Sequence, residues 1–238
     1  RNGSMYLTYT NEGMPIGAFW GYKTDGLIQT QEQLNAVKRA DFQPNAELGD
    51  VLFVDTNGDG KLDSSDRCMI GNPIPDIIYG INMGMAWKGF DLNLQFGGTI
   101  GNQIFNAMRY YTYFPNDITN KDRALMNYWT PNNTNTDIPR LTATDVNDND
   151  RFSDMYVENG TYFRLRNAQL GYTLPASLTQ RIKLQKVRFY VSGQNLFTIS
   201  SYSGMDPEVG QSSSLSRGID YGIYPQNISF TGGINVTF

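Results

Sequence analysis

The 238-residue chain is 39% apolar and only 18% charged, with 15 Tyr, 13 Phe, 3 Trp and 24 Gly, which excludes a disordered tail and a coiled coil. It has no histidine and a single cysteine, Cys68, so Ser-His-Asp and Cys-His catalysis, histidine metal sites and a disulfide framework all fall away. A net charge of −4 carries no nucleic-acid footprint, and no nucleic-acid partner is expected. Few charges with many aromatics, glycines and β-formers favour an all-β fold.

No apolar run reaches the roughly 18 residues of a membrane-spanning helix. A membrane-spanning strand needs only about 9–11 residues of alternating pattern, so membranes stay open. The chain starts at Arg1 without a basic-then-apolar leader. The expectation is a leader already removed, or a chain that is part of a longer protein.

In chain order, Met5, Leu7 and Tyr9 make a short first strand candidate. Tyr79, Ile81, Met83, Met85 and Trp87 alternate with Gly80, Asn82, Gly84 and Ala86. Phe90, Leu92, Leu94 and Phe96 then alternate with Asp91, Asn93, Gln95 and Gly97. Only Lys88-Gly89 separates these runs, which predicts a tight hairpin. The stretch 161–174 reads as a strand whose phase changes near Asn167, the mark of a bulge. Val187, Phe189 and Val191 alternate with Arg188, Tyr190 and Ser192 in a strand running toward Phe197. The last residues alternate most strictly, with Ile228, Phe230, Gly232, Ile234, Val236 and Phe238 on one face and small polar residues on the other.

Between these six strands the connections alternate long and short: 12–76, 88–89, 99–160, 175–185 and 199–226. Short turns on one side and long loops on the other is the asymmetry of an outer-membrane barrel, with the long loops extracellular. Loops of that length count against a compact soluble domain. Helix candidates lie at 31–38, 121–129 and 175–182, the last with Pro175 at a helix start. Small transmembrane barrels need about eight strands. The fold class expected is therefore all-β, the C-terminal antiparallel strands (about six) of a large transmembrane β-barrel, spanning 1–238 and surrounded by lipid and by the rest of its own barrel.

Asp55-Thr-Asn57-Gly-Asp59-Gly60-Lys61-Leu-Asp63-Ser-Ser-Asp66 matches a calcium loop. Oxygen ligands fall at positions 1, 3, 5, 9 and 12, Gly60 takes the sharp turn, and Lys61 offers its carbonyl. Asp66 replaces the usual Glu, and its shorter reach weakens bidentate contact. The loop predicts a structural Ca²⁺ ion pinning a long connection; the plain alternative is an Asp/Asn/Gly-rich turn that binds nothing.

Thr231, Gly233, Val236 and Phe238 fit the pattern read by the outer-membrane assembly machinery on a last strand, against the alternative of an ordinary edge strand. Asp145, Asp148, Asp150 and Asp154 read as a solvated loop rather than a glycosidase pair. Arg109-Tyr-Tyr-Thr-Tyr-Phe114 suits an interfacial aromatic belt or a packed loop more than a sugar platform. Asn159-Gly-Thr, Asn227-Ile-Ser and Asn235-Val-Thr fit the glycosylation triplet, a pattern common by chance, and Cys68 reads as packed.

Several segments together resemble the SusC/RagA family of TonB-dependent outer-membrane transporters. They are Pro15-Ile-Gly-Ala-Phe-Trp-Gly-Tyr-Lys-Thr-Asp-Gly26, the loop 55–66 followed by Ile70-Gly-Asn-Pro-Ile-Pro-Asp76, Tyr79-Gly80 into Trp87-Lys-Gly-Phe-Asp-Leu92, Asn159-Gly-Thr-Tyr-Phe-Arg-Leu-Arg-Asn167, Leu170-Gly-Tyr-Thr-Leu-Pro175, Val191-Ser-Gly-Gln-Asn-Leu-Phe197, Gly204-Met-Asp-Pro-Glu208 and the ending Gly232–Phe238. The resemblance implies a barrel of about 22 strands with an N-terminal plug, a SusD-like lipoprotein over it, and import of oligosaccharides or peptides driven by TonB through a region upstream. It implies no enzyme activity. It also places the loop 55–66 outside the cell. A second reading, a soluble secreted carbohydrate-binding β-sandwich with a calcium-pinned loop, predicts shorter strands and turns of similar length at both ends.

Overall fold

The computed structural model describes residues 6–113, 120–210 and 214–238. The strands are β1 (Thr8–Tyr9), β2 (Ala18–Gly21), β3 (Thr24–Leu27), β4 (Val51–Phe53), β5 (Cys68–Gly71), β6 (Ile77–Trp87), β7 (Phe90–Ile100), β8 (Gln103–Asn106), β9 (Val157–Asn159), β10 (Tyr162–Thr173), β11 (Lys186–Ser200), β12 (Ile219–Asp220) and β13 (Ser229–Thr237). Three α-helices join them: α1 (Gln31–Arg39), α2 (Ala107–Tyr113) and α3 (Ala176–Thr179). The chain divides into two compact units, one of 75–102, 160–208 and 224–238 and the other of 1–74, 103–159 and 209–223.

The first unit is a five-stranded antiparallel sheet in the order β13-β11-β10-β7-β6. Its strands run 9 to 15 residues, well beyond the usual five or six of globular proteins. Neighbours in the sheet are neighbours in sequence, as in a meander. Lys88 and Gly89 close the β6–β7 hairpin with φ of 46° and 90°, the left-handed pair that matches strand twist.

The expected phase change is present in β10, where register slips between Leu165 and Asn167 against both neighbours. Arg166 is the extra residue. Before it, Phe163 and Leu165 share a face with Phe96; after it, Ala168, Leu170 and Tyr172 do. The bulge thereby keeps apolar side chains on one side although the sequence changes parity. On β11 the residues opposite the slip include Asn195, with φ 53°.

The strand expected at the start does not join this sheet. Met5 lies outside the described residues, and Thr8–Tyr9 pairs instead with Ala18–Gly21 in the other unit. A two-residue strand followed by the turn at 11–14 is too short to extend a wall of strands this long. Among the described residues the large sheet therefore has five strands, where about six were expected.

The second unit gathers the long connections. It holds a three-stranded sheet β1-β2-β5, the pair β3-β4, and β12-β8-β9 with β12 parallel to β8. Phe19, Ile70, Phe105, Tyr156 and Ile219 form one core, and Tyr22, Leu27, Phe42, Val51, Phe53 and Trp129 a second. Each fully buried large apolar side chain contributes about 1.5–3 kcal/mol, so the cluster can hold strands of two to four residues together. Helix α1 starts where Thr30 caps it reciprocally with Gln33, worth about 1 kcal/mol, and Leu34 is its buried residue. The candidate 121–129 contracts to a 3₁₀ stretch, Arg123–Asn127, and 175–182 forms α3 and the turn after it.

Candidate functional site

Period-2 alternation gives the large sheet two chemically distinct faces. On one, Ile77, Ile81, Met83, Met85 and Trp87 of β6, with Leu170, Phe189, Val191, Phe230 and Ile234, remain exposed. Tyr79, Phe96, Phe163 and Phe197 stack at one end, with centroids 5.2 to 6.4 Å apart. At the other end Phe90 meets Tyr172 at 4.5 Å, beside Trp87. Between these aromatic rows lie aliphatic, Met and small residues, with Phe230 on the edge strand β13 level with Leu94 and Met83. From Tyr79 to Trp87 the strand covers about 26 Å at roughly 3.3 Å per residue, or about 20 Å after a tilt of about 40°. That approaches the apolar band of about 25 Å, edged by aromatic girdles, of a transmembrane barrel.

The opposite face is polar. Asp91, Asn93 and Gln95 of β7, Asn167 and Gln169 of β10, Arg188 and Tyr190 of β11 and Thr231 and Gly233 of β13 share it. Asp91, Asn93, Gln95, Arg188 and Tyr190 thus lie on the side assigned to the channel. Phe90, Leu92, Leu94, Val187 and Phe189 lie on the other. Val187 is itself buried, near the β10–β11 connection that carries α3.

On the polar face β10 carries an anchor for the segment after β11. Arg164 is 2% exposed. Its Nη2 lies 2.5 Å from Asp206 Oδ1, its Nη1 2.8 Å from Glu208 Oε2, and its Nε 2.8 Å from Thr198 Oγ1. Arg166 donates to the other Glu208 oxygen and to the Tyr162 hydroxyl, both at 3.1 Å. Asp206 also accepts the amides of Glu208 and Gln226. Burial pushes its carboxyl up, but those amides and the Arg164 guanidinium outweigh that and hold it below the usual range. The segment Gly204-Met-Asp-Pro-Glu208 is therefore a clasp whose acids close on two arginines of the wall. Sequence reading marked both segments but assigned them no role, since some forty residues separate the partners and no short spacing links them.

The calcium-like loop is wound on its own amides. Asp55 accepts from Gly58 and Gly60, Asn57 from Asp59, Asp59 from Lys61, and Asp63 from Ser65. Asp66, fully buried, accepts from Thr56 and Asp63. The Gly60 amide and its neighbours lower the Asp55 carboxyl against slight desolvation, and the Ser65 amide lowers that of Asp63. Gly58 and Gly60, each at φ 77°, provide the turns that the motif needs, and the donor set is all oxygen. Among the described residues no three His, Cys, Asp or Glu side chains converge at metal-ligating spacing, so calcium here would have to draw Asp55, Asp59 and Asp66 closer together.

The acids at 145–154 are structural. Asp145 accepts from Asn149 and Asp150, Asp148 pairs with Arg151, and Asp154 takes the Thr24 amide and hydroxyl. Burial pushes the Asp145 carboxyl up. The expected solvated loop is thus partly buried. Tyr110 packs on Phe105, Phe152 and Tyr156, so the Tyr-rich stretch as far as Tyr113 is a packed helix, α2, where a belt or a packed loop was expected; Phe114 lies outside the described residues. Cys68 opens β5 half-buried, its thiol pushed up by burial. Thr231 and Gly233 sit on the polar face of β13, Val236 opposite Val187 on the apolar one, and Phe238 just beyond the strand, exposed.

No helix among the described residues is long and apolar enough to cross a membrane; the strands above have the pattern that does. A long-stranded wall with one apolar and one polar face, girdled at both ends, defines an outer-membrane β-barrel protein. The chain is 39% identical over 237 residues to TonB-dependent receptor P3 of Formosa agariphila, covering 95% of this chain and 22% of that protein. It is 31% identical over 231 residues to TonB-dependent receptor P26 of the same organism, covering 95% and 23%. To TonB-dependent receptor SusC of Bacteroides thetaiotaomicron it is 29% identical over 198 residues, covering 83% and 18%. A RagAB peptide transporter structure superposes with a TM-score of 0.70 at 24% identity, covering 98% of this chain and 24% of that one. No protein-family model matches. Over most of its length the chain is a homologue of TonB-dependent receptors, SusC among them, which are outer-membrane β-barrel proteins, and its strands form part of such a barrel. It spans about a fifth to a quarter of the length of the relatives it matches.

Proposed function

We propose that this chain is the C-terminal part of the barrel of an energy-coupled importer that takes up oligosaccharides or oligopeptides. In that reading the apolar face meets lipid, the polar face lines the channel or its plug, and the long connections face outward. There they meet cargo and a SusD-like surface lipoprotein. TonB acts through a region of the barrel protein upstream of this chain. The work is transport, without a catalytic step. The observation that carries the reading is the two-faced, girdled sheet in a chain 39% identical to a TonB-dependent receptor.

The test is detergent extraction of the full-length protein, with identification of everything that copurifies. A lipoprotein held in stoichiometric amount, with oligosaccharide or peptide in the preparation, is the expected result. Recovery of the transporter alone, with uptake of both cargo classes unchanged after gene deletion, overturns it.

Two finer assignments belong with this reading. Asp55, Asn57, Asp59, Asp63, Asp66 and the Lys61 carbonyl would hold a calcium ion; calcium supplies hard, multidentate cross-linking of the loop. Calcium addition to the chelated full-length protein should then protect 55–66 from proteolysis, and equal cleavage with and without calcium removes the assignment. Thr231, Gly233, Val236 and Phe238 would serve as the assembly signal. Phe238→Ala should reduce the heat-modifiable folded form in the outer membrane, while unchanged assembly would remove that assignment too.

A further inference from the structure

The apolar face of the large sheet is not uniform. A cavity of about 420 Å³ lies among Phe90, Leu170, Tyr172, Phe189, Val191 and Ile234. A second, of about 380 Å³, lies among Leu92, Ala168, Leu170, Gly193, Leu196 and Phe230. They share Leu170 and Val191, so they run as one groove along β10, β11 and β13. From Tyr172 to Ala168 the groove follows four residues of strand, about 13 Å at roughly 3.3 Å per residue. One leaflet of hydrocarbon is about 15 Å deep, half of a core of about 30 Å. The groove thus has the length of one acyl chain, starting at the Phe90–Tyr172 girdle.

Its girdle end is basic. Lys88 lies over the Trp87 ring, 4.7 Å from the centroid, on the apolar face. The Thr173 amide donates to the Gly89 carbonyl at 2.7 Å, which sets this turn beside the one after β10. That second turn carries Arg181 and Lys183, both exposed. Residues 174–187 contain no Asp or Glu, and among the described residues none of the three cations makes an ion pair. Short turns lie on the periplasmic side of such barrels, so the groove opens into the phospholipid leaflet.

We propose that this wall holds one anionic glycerophospholipid, its phosphate on Lys88, Arg181 and Lys183 and one acyl chain in the groove between β10, β11 and β13. The inference rests on the membrane placement of the sheet and not on the cargo or the lipoprotein partner. Charge complementarity commits it to an anionic headgroup, since a neutral lipid would leave three exposed cations without a counter-charge at the interface. A basic residue near an anionic membrane surface typically adds a few-fold in affinity.

The test is native mass spectrometry of the full-length transporter, delipidated and then given equal phosphatidylglycerol and phosphatidylethanolamine of matched chains. The wild type should retain phosphatidylglycerol by at least about fivefold over phosphatidylethanolamine. The triple variant Lys88→Asn, Arg181→Gln, Lys183→Asn should bring that ratio near one; Asn suits Lys88 and Lys183, whose φ values are 46° and 59°. Lys186→Gln removes the same charge from the polar-face position and should leave the preference intact. Val191→Trp, filling the groove at an exposed position, should reduce retention of both lipids. Equal retention of the two lipids by the wild type overturns the proposal without recourse to any variant. So does an unchanged preference in a triple variant that still shows the folded, heat-modifiable band.

Discussion

Arg188 of β11 reaches Asp91 of β7 across the strand between them, with Nε 2.9 Å from Oδ1 and Nη2 2.5 Å from Oδ2. The pair passes over Gly171 of β10, where an added Cβ would stand 2.4 Å from Arg188 and 2.5 Å from Asp91. Glycine leaves the room that the ion pair fills, and any side chain there would displace it. The contact fastens three adjacent strands on the polar face with one bidentate bridge, the strong form of charged hydrogen bond.

Gly171→Ala should therefore behave like loss of the pair. Both it and Asp91→Ala should lower the unfolding temperature by a similar, modest amount, since the pair is open to solvent. The double variant should cost little more than either alone. Thermal unfolding of the full-length protein in detergent, followed by the heat-modifiable band, reads this directly. Additive losses would show that Gly171 matters for another reason.

The two faces differ most at adjacent positions. Leu94→Arg places a charge on the lipid side near mid-strand and should cost about 2–4 kcal/mol, whereas Asn93→Arg on the polar side should be far milder. Outer-membrane yield of the folded form compares them. Equal loss would reverse the facing of β7.

The clasp predicts an asymmetry between two arginines. Arg164→Met strands Asp206 at 6% exposure and should cost about 3–5 kcal/mol, as expected for removing one partner of a buried pair. Arg166, 39% exposed, should cost under about 1 kcal/mol when changed to Met. Hydrogen exchange over 201–208 should rise sharply in the first variant and slightly in the second.

The same clasp has a pH signature. The Asp206 carboxyl is held below its ordinary value of 3.8. Its contribution is thus complete above that value and is lost as pH falls through the lower, folded one. Exchange over 201–208, corrected for intrinsic rate, should increase below about pH 4. In Asp206→Asn the segment should already exchange fast at neutral pH and show no such step. A wild-type rise centred above pH 5 would assign the effect to another group.

In the loop unit, Asn149 joins the Val51 amide, Asn147, Asp50 and Asp145 in one buried network. Asn149→Leu strands the buried Val51 amide and removes one hydrogen bond each from Asn147, Asp50 and Asp145, and should destabilise the unit by about 2–3 kcal/mol. Limited proteolysis should then cut both 40–50 and 140–150, segments about a hundred residues apart. Cutting at only one would mean that they fold independently.

The long strands were legible because alternation is local. Tyr79 to Trp87 and Phe90 to Phe96 declare their faces residue by residue, and Lys88-Gly89 declares its hairpin. The Asn167 phase change was legible for the same reason, as a parity error in an otherwise regular run. The start was misread because Leu7 and Tyr9 alternate as a strand does, and two residues of pattern do not tell which sheet they join. The clasp and the Asn149 network were invisible because their partners lie some 42 and up to 99 residues apart in sequence. Nothing local in Arg164 distinguishes a buried anchor from a channel-facing cation.

The slip at Arg166 divides β10 into two segments written in opposite frames. A substitution scan along the strand would show tolerance oscillating every second residue, then missing a beat at Arg166 and resuming inverted. Deleting Arg166 would remove the bulge and leave Leu165, Asn167, Ala168, Gln169 and Leu170 in one unbroken alternation, whereas straightening the strand with Arg166 in place would turn Gln169 to lipid and Leu170 to the channel. Any chimaera that splices this wall to a relative's must therefore match faces, not residue counts, on either side of it.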